Sequence, residues 1–225
     1  MIKNQEYKNA ALRALKGKWT PAVIATIVYL LIGLVIAGPY YYFQLQNPTV
    51  DPMLSLKASA YVLPLSLFII VPLQIAFYYA FLKLYRNGDE KVMDNMFKDA
   101  FKPKYGRNIL AMILMVILVG LGTLLLIVPG IILTLCYQIL PFVLKDNPDL
   151  SAVQALKKSR EMMRGHKFDL FWLELSFIGW AILAVLTFGI GVFWLEPYWM
   201  TTFAAFYQDV KDGTAGQPSE PVVVE

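Results

Sequence analysis

Residues 108–144 read NILAMILMVILVGLGTLLLIVPGIILTLCYQILPFVL, 37 positions without an Asp, Glu, Lys or Arg. A helix rises about 1.5 Å per residue, and about 20 apolar residues cross the hydrocarbon of a bilayer. The run is therefore too long for one span. Pro129-Gly130 lies just past its middle, and Pro-Gly is a strong turn signal. The stretch reads as two short spans joined by a tight turn, 108–128 and 130–145.

The same arrangement recurs downstream. Residues 168–187 and 190–208 are apolar except at Glu174, Glu196 and Asp169, with Thr187-Phe188-Gly189-Ile190-Gly191 as the turn. Upstream, the uncharged runs 21–43 and 58–82 predict spans over about 21–43 and 59–84. A four-span reading, with each long run a single kinked helix, leaves more than ten apolar residues per run outside the hydrocarbon. The prediction is an all-α polytopic membrane protein with six transmembrane helices in three hairpins, one helical membrane domain over residues 1–210. The first apolar run reads as a signal anchor. A disordered cytoplasmic tail is expected over 211–225.

Composition agrees. Apolar residues make up 58% of the 225, charged residues 16%, and the mean hydropathy is +0.54. This argues against a disordered chain and an ordinary soluble enzyme. Of the twenty Lys and Arg residues, nineteen fall before span one, between spans two and three, between spans four and five, or after span six. Only Lys57 lies on the other side. By the positive-inside rule both termini are cytoplasmic. That partition explains the basic pI without invoking nucleic acid. Asn47-Pro48-Thr49 is not a glycosylation acceptor, because proline occupies its middle position.

Each hairpin is preceded by an amphipathic segment of helical period. Tyr7, Ala11, Leu15 and Trp19 form the first stripe, beside Leu12 and away from Lys8, Arg13 and Lys16. Met93, Met96, Phe97, Ala100 and Phe101 form the second, opposite Asp94, Asn95, Lys98 and Asp99. Ala152, Val153, Leu156 and Met163 form the third, and Ser151-x-x-Gln154 is a capping box that starts it. Each segment meets a glycine and a basic residue before its span: Gly17-Lys18, Gly106-Arg107 and Gly165-His166-Lys167. The chain thus reads as three repeats of helix, glycine and hairpin. The stripes suit either helices lying in the cytoplasmic interface, apolar face down, or a collar that docks a partner protein.

Val128-Pro129-Gly130-Ile131-Ile132, Asp146-Asn147-Pro148, Ser159-Arg160-Glu161-Met162-Met163, Gly165-His166-Lys167 and Leu175 to Trp180, followed by Gly189-Ile190-Gly191 and Pro197-Tyr198, form a distinctive combination. In these motifs the chain resembles the domain of unknown function 975 family of bacterial integral membrane proteins, most clearly over residues 120–208. A looser resemblance, around Val128 to Gly165, is to the membrane domain of some glycerophosphodiester phosphodiesterases, whose hydrolytic domain has no counterpart here. The resemblance implies a multi-pass helical protein of the bacterial inner (cytoplasmic) membrane. It brings no activity and no catalytic residues.

Among candidate site residues, Glu174 and Glu196 stand out, because an intramembrane carboxylate is costly. They lie near opposite ends of an antiparallel hairpin, so they are not expected to pair. Each is a candidate for a proton, an ion or a polar ligand, or else a glutamate at the interface that is protonated or reaching headgroups. Pro197 frees a backbone carbonyl beside Glu196. Gln74, Gln138, Thr134, Ser176, Thr201 and Thr202 are expected to bond between helices. Lys157, Lys158, Arg160, Arg164 and Lys167 are candidates for contact with anionic lipid or a partner. His166 reads as interfacial, Cys136 as a packing residue, and Trp19, Tyr40 to Tyr42, Tyr61, Phe168 and Trp172 as interfacial aromatics. No phosphate-binding, zincin or nucleophile-elbow motif occurs. No catalytic residue, metal site or cofactor is assigned. The reading is a non-enzymatic protein that contacts lipids or organises a partner at the cytoplasmic leaflet, with a homo-oligomer possible. The alternative is a small-solute, ion or lipid transporter or channel using the intramembrane carboxylates.

Overall fold

The computed structural model describes residues 2–46, 62–101 and 104–215, with Met53 and Ala60. Asn47-Pro48-Thr49, Lys57, Tyr61, Lys102, the Lys3 side chain and residues 216–225 lie outside the described set. The described chain is all α. Its elements are α1 Ile2–Leu15, α2 Trp19–Gln46, α3 Val62–Asn87, α4 Val92–Ala100, α5 Tyr105–Leu125 and α6 Ile127–Tyr137. They continue as α7 Leu140–Asp146, α8 Ala152–Met162, α9 Lys167–Leu175, α10 Ile178–Leu186 and α11 Val192–Ala215. A π-helical segment, Ser66–Ile70, lies inside α3.

Five helices are long and apolar enough to cross a membrane: α2, α3, α5, α6 running on into α7, and α9 running on into α10. The chain is therefore a membrane protein by the apolarity of its helices. α11, where the sixth span was expected, is not among the five. Glu196, Pro197, Gln208, Asp209, Lys211 and Asp212 dilute it. Its surroundings explain why it can be less apolar: Phe203, Phe206 and Tyr207 are fully buried, and the helix packs on α1, α2, α3 and α10. It also runs through Lys211 to Ala215, so the chain is helical five residues past the expected start of the tail.

The hairpin turn between α5 and α6 falls at Leu126, the one extended residue (φ −160°, ψ 147°), and not at Pro129-Gly130. Pro129 sits in the first turn of α6, where its missing N–H costs nothing. Gly130 lies against α5: a Cβ there would come within 2.8 Å of Thr123 Cα. The pair of residues that suggested the turn instead starts the second helix and lets it pack close.

Most of the first and third amphipathic stripes is buried within the chain, whereas the second is largely exposed. Tyr7, Ala11 and Leu15 of α1 are buried, with Tyr7 edge-on to Phe206 of α11 at 5.7 Å. In α4 the buried positions are Val92, Met96, Asp99 and Ala100, whereas Met93, Phe97 and Phe101 are exposed. The stripe is thus rotated from the predicted one, because α4 packs on α3, where Lys83 receives Asp99. In α8, Ala152, Ala155, Leu156, Ser159, Met162 and Met163 are buried and Val153 is exposed. The capping box forms as the sequence requires: Gln154 N–H donates to Ser151 Oγ (3.3 Å), and Ser151 N–H donates to Gln154 Oε1 (2.8 Å). At the repeat junctions Gly17 and Gly165 take left-handed φ of 78° and 89°. At the second junction that role falls to Lys104 (φ 77°), while Gly106 is helical.

Two spans are interrupted. α6 gives way to α7 at Gln138-Ile139, and α9 gives way to α10 at Ser176-Phe177. Of the intramembrane hydroxyls expected to link helices, Thr134, Thr201 and Thr202 donate to the carbonyl four residues back in their own helix, and Ser176 to the carbonyl three back. Among the described residues, Gln138 is the one of the expected linking residues that reaches across. Cys136 is buried, as expected of a packing residue, and its carbonyl accepts Ser159 Oγ at 2.9 Å.

Candidate functional site

A buried carboxylate that gathers several partners lies where the 108–144 run meets polar sequence. Asp146 ends α7 with its side chain 6% exposed. An acid at a helix C-terminus faces the negative end of the helix dipole, so it requires cations. Arg86 of α3 supplies a two-pronged contact, Nη1 to Oδ1 at 2.9 Å and Nη2 to Oδ2 at 2.7 Å. Lys211 of α11 donates to Oδ2 at 2.6 Å, and the Tyr207 hydroxyl at 3.0 Å. Arg86 Nε donates to Gln208 Oε1 at 2.7 Å. One carboxylate thus joins α3, α7 and α11. Phe142, one turn before it, stacks on Tyr207 at 4.8 Å.

Around this hub the polar end is closed by further pairs. Lys83 donates to Asp99 at 2.7 Å, and Lys145 donates to the Asp99 carbonyl. The Arg107 guanidinium of α5 donates to the carbonyls of Leu144 (2.7 Å), Asn147 (3.1 Å), Pro148 (2.7 Å) and Leu150 (2.9 Å). It thereby caps the α7 C-terminus and fixes the Asp146-Asn147-Pro148 turn. The Tyr7 hydroxyl donates to Asp209 at 2.6 Å; burial, then that bond, pushes the hydroxyl's pKa up. Lys8, placed off the stripe by sequence, is 8% exposed. It donates to the Ser176 carbonyl at 2.9 Å and lies over the Phe177 ring at 4.3 Å. Burial lowers its pKa.

The basic residues singled out by sequence divide. Lys158 donates to Asn147 Oδ1 at 2.7 Å and so belongs to the closed structure. Lys157, Arg160 and Arg164 are exposed, and their side chains make no hydrogen bond or ion pair among the described residues. Lys167 opens α9, half-buried, followed by exposed Phe168 and Trp172. His166 precedes it, partly exposed, with Nδ1 3.4 Å from Asp169. The exposed edge of α8 is followed in the sequence by the exposed aromatics of α9.

The two carboxylates stay apart, as expected, with no bond between them among the described residues. Glu174 accepts a hydrogen bond from Gln138 Nε2. Glu196 lies in α11, partly buried. Asp146, Arg86 and Arg107 went unread in the sequence as site residues. The available signal was an acid two residues past a 37-residue uncharged run, at the helix end that disfavours acids.

With this geometry in place, the comparisons with known proteins fit the sequence reading. Residues 104–214 match the family described as Protein of unknown function (DUF975), and over that stretch the chain resembles this family. The matched region begins at Lys104, the left-handed junction before α5, and runs to the end of α11. It contains Arg107, Asp146, the α8 edge and both glutamates. No curated protein and no solved structure matches the chain.

Proposed function

We propose that this chain is a non-enzymatic, multi-pass protein of the bacterial inner membrane that holds anionic lipid headgroups at its cytoplasmic face through the outer edge of α8. The observation that carries this reading is a row of exposed cations at helical spacing, Lys157 and Arg160 on α8 and Arg164 just past its end, whose side chains hold no partner among the described residues. Exposed cations followed in the sequence by exposed Phe168 and Trp172 suit a membrane–water boundary: aromatic rings favour the headgroup level, and each cation near an anionic surface contributes about 1 kcal/mol.

Native mass spectrometry from bilayers of defined composition tests the reading. The wild-type protein retains anionic lipid in preference to zwitterionic lipid. The variant carrying Lys157→Gln, Arg160→Gln and Arg164→Gln loses that preference. Equal retention of both lipids by the wild type, or a preference unchanged in the variant, would refute the reading. Retention of a stoichiometric protein in place of lipid favours the partner-organising role.

A further inference from the structure

The two interrupted spans meet at their interruptions. Gln138 sits where α6 breaks into α7, and Glu174 lies two residues before Ser176, where α9 breaks into α10. The Gln138 amide N–H donates to Glu174 Oε1 across the gap. Irregular backbone at membrane depth is tolerated where it is buried in protein or lines a cavity, and in transporters broken helices surround bound ions. Among the described residues Gln138 Oε1 is the one buried side-chain oxygen or nitrogen without a hydrogen-bond partner.

That orphan has a chemical remedy. A carboxylate only accepts, so an ionised Glu174 satisfies the amide N–H and leaves the amide oxygen empty. An unpaired buried acceptor costs about 1–3 kcal/mol. A carboxylic acid both donates and accepts. Its O–H meets Gln138 Oε1 while its carbonyl oxygen receives Gln138 Nε2–H, closing a ring of two hydrogen bonds.

We propose that Gln138 and Glu174 form a reversible proton-binding site, in which Glu174 takes one proton from water and shares it with Gln138 Oε1. Binding converts the carboxylate to the acid and forms the O–H···O bond. Release returns the proton to water and leaves the amide oxygen unpaired. The groups facing the site are these. From α1, Lys8 is held on the Ser176 carbonyl. From α3, Tyr78 packs its ring on Phe142 of α7 at 5.5 Å. From α11, Glu196 makes no bond to Glu174. The Lys8 hydrogen bond goes to a backbone carbonyl at the α9–α10 break. This inference is independent of the lipid reading.

Infrared spectroscopy of the protein in lipid bilayers at neutral pH tests it. The wild type shows a protonated-carboxyl C=O band that Glu174→Gln removes and Glu196→Gln leaves in place. In Gln138→Leu, which keeps Glu174, the same band moves to higher frequency as its hydrogen bonds are lost. Glu174→Gln is expected to fold, because two facing amides form the same ring. Should it fail to fold, the Gln138→Leu shift decides. A wild-type spectrum without such a band, a band unmoved in Gln138→Leu, or a band that disappears on adding sodium ions would overturn the proposal. The last outcome would mark a metal-cation site.

Discussion

The two ends of this molecule are built on opposite principles. At the polar end, Asp146 is closed over by Arg86, Lys211 and Tyr207, and Phe142 and Phe203 pack beneath it. At the other end, Leu124 is 84% exposed and Phe188 is 99% exposed, with Leu125, Ile127, Val185 and Leu186 around them. In water such an apolar surface would be a liability. In a bilayer it costs nothing, because lipid tails are as apolar as leucine. The difference teaches where the fold is specified. Hydrocarbon cannot distinguish one arrangement of leucines from another, so register must come from the end where aromatic packing and ion pairs are selective.

The sharpest way to break this contrast is to neutralise its hub. Asp146→Asn leaves Arg86 and Lys211 without their acid, and losing one partner of a buried pair costs about 3–5 kcal/mol. Leu124→Val at the exposed end is predicted to cost less than about 0.5 kcal/mol. Equilibrium unfolding in mixed micelles compares the two.

Arg107→Ala comes next. It leaves the α7 C-terminus and the Asp146-Asn147-Pro148 turn without their cap, and charged hydrogen bonds of this kind contribute about 1.5–3 kcal/mol. The loss should appear as lower unfolding stability, together with faster proteolysis at residues 147–150. Intact protease resistance there would count against the capping role.

Third, Gly130→Ala places a methyl within 2.8 Å of Thr123 Cα. Overpacking of this kind costs about 1–3 kcal/mol. Gly120→Ala, with nothing within 4 Å of the new methyl, should be neutral. Equal effects of the two would show that the α5–α6 approach is looser than described.

The smallest effect concerns pH. The Asp89 carboxylate accepts Asn95 Nδ2–H at 2.7 Å and Lys91 N–H at 3.0 Å, and these bonds, in that order, hold its pKa below the usual value. The unfolded chain therefore binds more protons. Asp89's contribution is fully present above its unfolded pKa of about 3.9 and is lost as pH falls through the folded value. Thermal unfolding at neutral pH and near pH 3 should show a slightly smaller acid loss for Asp89→Asn than for the wild type. An identical acid limb would remove Asp89 from the account.

Much of the fold was legible because its signals are local. Uncharged runs, the Ser151–Gln154 cap and the helical period of the amphipathic segments each rest on residues a few positions apart. Misreadings arose where tertiary contacts decide. Pro129-Gly130 suits a turn as well as a helix start, and close packing on Thr123 selects the second. Asp99 was assigned to the polar face of α4 because sequence does not show Lys83 waiting on α3. α11 tolerates its polar residues because protein surrounds it. Of the candidate site, Glu174 and Glu196 were legible as charges inside apolar runs. The Gln138 partnership and the Asp146 hub were not, since each joins residues more than thirty positions apart.

The central claim, that Asp146 joins α3 and α11 into one cooperative unit, is tested most directly by a double-mutant cycle. Asp146→Asn, Arg86→Gln and the double variant would be compared in equilibrium unfolding. The account predicts a coupling of about 2 kcal/mol, within the 0.5–3 kcal/mol that contacting residues show. Simple additivity of the two single losses would contradict it.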